Sequence, residues 1–271
     1  MVGSASRRVS RPRTSSLKLI GGRAEPKVLA EFDADDFEAQ WPYEDSYDFR
    51  RIDESLDLNF YVEPRFVTHI DDGAIASLTE YYRRVLPPGG SVLDLCSSWI
   101  SHLPPEVSYA RVAGVGMNAR ELEANKQLTE FEPRDLNLDP SLPYGDSEFD
   151  AVCNVVSVDY MTKPLQLFKE MHRVLKPGGV AVMSFSNRCF PTKAVKVWLD
   201  SDDTGRMAIV ANYFHHSAAW ADICALDIGT LKGEGFKASP PGGAGGNPFQ
   251  VLLSSFASID PMFVVQARAK K

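Results

Sequence analysis

The chain has 271 residues, 44% of them hydrophobic and 24% charged, with a formal net charge of −7. These are ordinary globular proportions, enough for one α/β domain with extensions, and no stretch approaches the ~18 consecutive apolar residues of a membrane span. Four cysteines (Cys96, Cys153, Cys189, Cys224) lie far apart with no Cys-x-x-Cys spacing, which argues against a zinc site or disulfide framework and for a reducing compartment.

Residues 1–24 contain six basic residues and no acid, and the remainder holds 23 basic against 36 acidic residues, a charge of −13. A body this acidic, without a basic cluster, repels polyanions, so nucleic acid is not an expected partner. The Arg- and Ser-rich start suits an organellar transit peptide or a basic tail. The expected location is therefore cytoplasmic, or a plastid or mitochondrion if the segment is a transit peptide. Residues 25–63 are read as an acidic, aromatic cap. Phe32, Phe37, Trp41, Tyr43, Tyr47 and Phe49 stand among eleven acids in residues 31–57 and would pack the segment onto a domain spanning 64–271.

Apolar residues recur at Ile75, Leu78, Tyr82 and Val85, which predicts a helix from Asp71 to Leu86, stopped by Pro87-Pro88-Gly89-Gly90. Three strand-and-turn signals follow, at 91–99, 111–118 and 149–157. Asn118 is a candidate N-cap for a helix beginning at Ala119. Leu165–Leu175 predicts a helix ending at Lys176-Pro177-Gly178-Gly179, and 180–185 predicts a strand. Thr192–Leu199 and Ser217–Leu231 are read as helices, Pro240–Gly246 as a flexible loop and Phe263–Ala267 as a last strand. Short apolar runs alternating with helical patterns predict an α/β fold with a mostly parallel sheet and helices on both faces. Such sheets bind ligands beyond the carboxyl ends of their strands.

Four segments then carry a resemblance: Val-Leu-Asp-Leu (92–95), Asp-Leu-Asn (135–137), Leu-Pro-Tyr-Gly-Asp-Ser-Glu-Phe-Asp-Ala-Val (142–152) and Arg-Val-Leu-Lys-Pro-Gly-Gly (173–179). Residues 64–200 resemble a class I S-adenosylmethionine-dependent methyltransferase domain of the type 11 group. In detail they resemble a subgroup with a Ser-Ser-Trp first turn, Gly-Met-Asn and Ser-Asn-Arg-Cys-Phe-Pro-Thr-Lys. The resemblance implies a Rossmann-like, seven-stranded sheet with an antiparallel final strand, and S-adenosyl-L-methionine as cofactor. It names no substrate.

The resemblance assigns cofactor contacts to Asp94, Cys96, Ser97, Ser98, Met117, Asn118, Asp135, Leu136 and Asn154. Two departures stand out. The family's Gly-x-Gly-x-Gly turn is Cys96-Ser97-Ser98-Trp99 here, where the Ser hydroxyls can meet the cofactor carboxylate or cap a short helix. Trp99 either packs inward or narrows the cleft. The family's ribose-binding acid is replaced by Asn118, which can accept one bond and donate another, or serve only as a helix cap. Asp135 with Leu136 matches the pair that meets adenine.

On the acceptor side stand Ser157, Tyr160, Asn187 and Arg188, with Lys193 behind them. Arg188 and Lys193 could hold an anionic substrate, or Arg188 could pair with an acid such as Asp159 and fix its loop. Asp159 could act as general base or simply hold an acceptor, or be one of the acids common at strand ends. Adjacent His215 and His216 make a poor metal pair and are read as a helix-start or surface pair; no metal is expected.

Three functions follow. The first is methyl transfer to a small-molecule acceptor. The second is a methyltransferase-fold binding or regulatory protein without transfer activity, suggested by the altered first turn. The third, a nicotinamide-dependent oxidoreductase, requires a Gly-x-Gly-x-x-Gly turn that Leu-Cys-Ser-Ser-Trp lacks.

Overall fold

The computed structural model describes residues 25–231 and 260–271. The basic segment 1–24 and the Pro240–Gly246 loop lie outside the described residues. Strand β1 (Lys27–Glu31) and the single-turn helices α1 (Asp45–Asp48) and α2 (Asp57–Phe60) precede α3 (Asp72–Val85). Then come β2 (Ser91–Leu95), β3 (Arg111–Gly116), α4 (Ala119–Ala124), β4 (Glu130–Pro133), β5 (Phe149–Val155), α5 (Pro164–Val174) and β6 (Leu175–Phe185). The chain ends with α6 (Lys196–Leu199), α7 (Asp203–Ser217), β7 (Trp220–Asp227) and β8 (Phe263–Ala269).

The described strands form one eight-stranded sheet in the order β1-β7-β8-β6-β5-β2-β3-β4. Strands β4, β3, β2, β5 and β6 are parallel. Strand β8 runs antiparallel between β6 and β7. The expected antiparallel final strand is therefore present. The sheet exceeds the expected seven strands by one, because β1 joins its edge antiparallel to β7.

The central strands are covered on both faces, as parallel strands require. Along β2, Leu93 and Leu95 join a core with α5 and α7, while Val92 points to the opposite core under α3. Truncating such a fully enclosed leucine to alanine costs about 2–5 kcal/mol. Helix α3 forms where the apolar period placed it. The Asp71 side chain caps it by accepting from Ala74 N at 2.8 Å, and Leu86, extended before Pro87, ends it.

The 217–231 expectation is corrected: that segment is strand β7, and the helix is α7, just before it. Trp220, Ile223 and Leu226 fit a helical spacing of three, which misleads. The segment alternates instead, with Ile223 and Ala225 in one core and Cys224 and Leu226 against the other. Similarly, only 196–199 of the expected 192–199 helix is helical.

A second correction concerns residues 96–110. They join β2 to β3 without forming a helix, so Ser97 and Ser98 cap none. Pro104 and Pro105 interrupt this short segment, and Trp99, Ile100 and Leu103 are buried to anchor it. Trp99 packs inward, its Nε1 donating to Val67 O at 2.8 Å.

Residues 32–57 cross α6 and α7. Phe37 stacks on His215 with centroids 4.0 Å apart, and Trp41 stacks on Phe49 at 6.0 Å. His215 and His216 therefore close the last turn of α7, not its start. The buried Lys193 ammonium donates to Ser55 O at 2.7 Å and pairs with Asp57 at 3.2 Å. Asp57 also receives two bonds from Arg51. These charge-assisted bonds fasten the segment from which residues 61–69 run across the carboxyl ends of the strands.

Candidate active site

A cavity of about 520 Å³ opens beyond the carboxyl ends of β2, β3, β5 and β6, bordered on one side by Tyr61, Arg65, Val67, Thr68 and His69. It is lined by Asp94, Cys96, Ser97, Ser98, Met117, Asn118, Asp135, Leu136, Ser157, Tyr160, Asn187 and Arg188. Asn154 is the exception among the expected site residues. It is fully buried within β5, and its Nδ2 donates to Leu95 O at 3.1 Å, tying two strands beneath the cavity floor.

The first turn bends sharply at Cys96, whose φ of +57° lies in the left-handed region that glycine usually occupies. Ser97 N donates to Val115 O at 2.8 Å, drawing the turn down onto β3. Gly116 permits this approach, since a Cβ there would lie 2.1 Å from Ser97 O. Glycine on the neighbouring strand thus provides room that glycines in the turn would otherwise supply.

The serine hydroxyls are not directed at a cofactor carboxylate. Ser97 Oγ and Ser101 Oγ donate to Asp94 Oδ2 at 2.6 and 2.7 Å, and Ser98 Oγ donates to Glu121 Oε2 at 2.5 Å. Burial pushes the Asp94 carboxyl up to about 6 despite those two hydroxyls.

Asn118 is also committed. Its Oδ1 accepts from Arg120 N and Glu121 N at 3.0 and 3.2 Å, capping α4, while Nδ2 donates to Tyr61 O at 2.9 Å and Val62 O at 3.2 Å. The exchange of ribose hydroxyl bonds expected of this side chain is thus not available in this arrangement. The acid that faces this region is Glu121, one turn into α4, whose Oε1 accepts from Arg65 N at 2.6 Å. Sequence reasoning passed over it. An Asn-x-x-Glu start to a helix was its signal.

Asp135 Oδ1 accepts from Asn137 N at 2.9 Å and Leu138 N at 3.2 Å, while Oδ2 has no hydrogen-bond partner among the described residues. Leu136 beside it presents a buried apolar surface to the cavity. A carboxylate oxygen next to an apolar side chain suits a flat, amine-bearing ring, so the Asp135–Leu136 end fits the adenine of the implied cofactor.

At the other end, Ser157 Oγ donates to Val155 O at 2.9 Å, and Tyr160 OH accepts from Phe190 N at 2.8 Å. Asn187 lines the wall, and Arg188 Nε pairs with Asp260 at 2.7 Å, turning its charge to that acid. Tyr61, Arg65 and His69, which follow no periodic pattern along the chain, complete this wall. Burial, then the nearby Arg65 charge, lowers the His69 imidazole and keeps it neutral. His102, buried deeper, is pushed down to about 4.

Asp159 is buried behind the cavity, its Oδ2 without a hydrogen-bond partner among the described residues, and burial holds its carboxyl up at about 8. It does not line the cavity and does not pair with Arg188. The direct contact with reactants that general-base work requires is therefore absent here.

Comparison with known proteins places a methyltransferase domain model on residues 96–183. The chain is 36% identical over 93 residues to the malonyl-[acyl-carrier protein] O-methyltransferase of Marinomonas sp. (strain MWYL1), covering 34% of this chain and 33% of that protein. It is 34% identical over 102 residues to the demethylmenaquinone methyltransferase of Staphylococcus epidermidis (strain ATCC 35984), covering 35% of this chain and 42% of that protein. The match thus spans well under half the length of these relatives. A solved S-adenosylmethionine-dependent methyltransferase from Mesorhizobium loti superposes with a TM-score of 0.42 at 16% identity, over 71% of this chain and 98% of that one. Residues 96–183 thus match a methyltransferase domain, a match that begins at the turn after β2 and ends within β6, the strand beside which antiparallel β8 lies.

Proposed function

We propose that the protein transfers a methyl group from S-adenosylmethionine to a small-molecule acceptor in the 520 Å³ cavity. The observation that carries this is the gathering of the adenine-type pair Asp135–Leu136, the buried acid Asp94 and the aromatic wall of Tyr160 and Phe190 around one cavity. Asp135 Oδ2 would receive the adenine amine and Leu136 would pack on the ring. Glu121 and the Asn118 backbone would border the ribose, with Asp94 and the first turn near the methionine portion. The cofactor supplies an electrophilic methyl group on a sulfonium. The chain's residues would align the acceptor with it and limit water, with residues 61–69 forming one wall of the cavity. The small volume and the acidic body favour a small molecule over a polymer.

One observation favours the second reading, a binding protein of this fold without transfer activity. Ser97, Ser98 and Asn118 spend their side chains on protein partners. Calorimetry with S-adenosylhomocysteine tests the cofactor half of the proposal, and no measurable binding at millimolar ligand would defeat it. Transfer of a labelled methyl group to members of a small-metabolite panel separates the two readings, since a binding protein takes up cofactor and labels nothing.

A further inference from the structure

We propose that Arg65 anchors an anionic group of the methyl acceptor, so that the substrates are small molecules joining an apolar or aromatic body to a carboxylate or phosphate. The inference rests on the methyl-transfer reading above and adds the substrate class.

Three arginines line the cavity: Arg65, Arg134 and Arg188. Arg134 is paired with Asp139 at 3.0 Å and Arg188 with Asp260 at 2.7 Å. Arg65 has no ion-pair partner among the described residues, in a chain where acids outnumber basic residues 36 to 29. Its guanidinium carbon lies 4.0 Å from the Phe60 ring centroid, 5.1 Å from Phe190 and 5.6 Å from Tyr61. One terminal nitrogen donates to Phe60 O at 3.0 Å, and the other is sealed from water without a partner. A donor of a charged group left in that state is costly, and an entering anion relieves the cost.

The surroundings select the sign of the ligand. Aromatic faces stabilise the guanidinium and hold it in place, but they cannot neutralise it. The backbone N–H of Arg65 is fixed by Glu121, which positions the side chain's origin. His69 on the same wall is neutral and offers no competing charge. A cationic acceptor would meet the Arg65 charge directly, whereas a carboxylate or phosphate gains paired, charge-assisted hydrogen bonds. Phe190 and Tyr160 beside it provide apolar surface for the rest of the molecule. The position also separates this role from the cofactor's own carboxylate. Arg65 packs on Phe190, beyond β6, whereas the methionine portion belongs over the turn after β2.

The test uses the full chain saturated with S-adenosylhomocysteine and three probes: benzoate, phenyl phosphate and the neutral benzamide, titrated by calorimetry. Wild type is expected to bind the two anions about tenfold or more tightly than benzamide, the equivalent of one charge-assisted contact. Arg65→Gln should abolish that preference and Arg65→Lys should keep part of it, while affinity for S-adenosylhomocysteine changes less than about twofold in both. The anchor assignment is overturned if wild type binds benzoate and benzamide equally, or if Arg65→Gln keeps the preference. It is also overturned if Arg65→Gln loses S-adenosylhomocysteine instead, since Arg65 then holds the cofactor. The wild-type comparison needs no variant to fold. If wild type fails to bind S-adenosylhomocysteine at all, the methyl-transfer reading falls and takes the acceptor assignment with it. That outcome is read in the cofactor titration, not in the probe series.

Discussion

The guanidinium Nε of Arg188 lies 2.7 Å from Asp260 Oδ2, and Asp260 in turn accepts from Asp71 N, at the cap of α3, at 3.0 Å. The loop after β6 is thereby tied to the start of α3 instead of being free to present its arginine to a ligand. Arg188→Gln should then leave S-adenosylhomocysteine affinity unchanged and lower stability by no more than about 1 kcal/mol, because the Arg188 side chain is half exposed and screened. Urea unfolding and calorimetry on the same variant check both parts. A tenfold loss of acceptor affinity in Arg188→Gln would return this residue to the substrate site.

Asn118 joins two structures, since its oxygen caps α4 and its amide holds residues 61–62 over the cavity. Asn118→Asp keeps an acceptor for the cap and loses both donors. Asn118→Ala loses both functions and should cost about 1 kcal/mol of stability from the cap alone. Melting temperatures should therefore fall in the order wild type, Asp, Ala. Limited proteolysis should cut near Val62 faster in both variants than in wild type. Equal cleavage rates would show that the Asn118 amide does not hold this segment.

Cys96 adopts a backbone conformation that costs an L-residue about 1–2 kcal/mol and glycine almost nothing. Cys96→Gly should relieve that strain and widen the cavity beside the first turn. The expected result is an unchanged or higher melting temperature and tighter S-adenosylhomocysteine binding. Cys96→Val, which puts a β-branched residue at positive φ, should be clearly destabilised. If Gly and Val variants behave alike, the turn relaxes to another conformation.

The parts of this molecule that obey periodic rules were legible in the sequence. The α3 stripe, the doubly buried runs 92–95 and 180–185 and the Asn118 cap all reflect patterns that repeat within a few residues. Strands β1 and β4 were not seen, because edge strands need only one pairing neighbour and Glu130-Phe131-Glu132-Pro133 has little apolar signal. In the site, motif positions named where side chains would be, but not what they would bond. Ser98 and Asn118 reach the cavity as expected, yet Glu121 and residues 61–62 claim their polar atoms. Arg65 could not be picked out, since the lack of an ion-pair partner for its guanidinium among the described residues depends on where the chain brings Phe60, Tyr61 and Phe190 together.

Asp159 sets a pH dependence of stability with a definite sign. It is buried, and the titratable groups within its electrostatic reach are Cys96, Cys189, Tyr61, Tyr160, and Arg206 and Tyr213 of α7. Of these only Arg206 brings a positive charge to bear, and burial prevails, so the carboxyl is held up at about 8 from an ordinary value of 3.8. A carboxyl raised in the folded state binds its proton more tightly than in the unfolded chain. Its stabilising contribution is complete below the unfolded value and is lost as pH climbs from roughly 4 through 8. Asp94, raised to about 6, acts in the same direction but finishes lower in that window. Asp159→Asn carries no charge at any pH and should flatten the upper part of the decline. The variant and wild type should have similar melting temperatures near pH 5, and the variant should be the more stable near pH 8.5, by on the order of 1 kcal/mol or more. Melting curves for both proteins at half-unit steps across that range decide the matter. If the two curves stay parallel from about pH 6 to 8.5, Asp159 is not the group that titrates there.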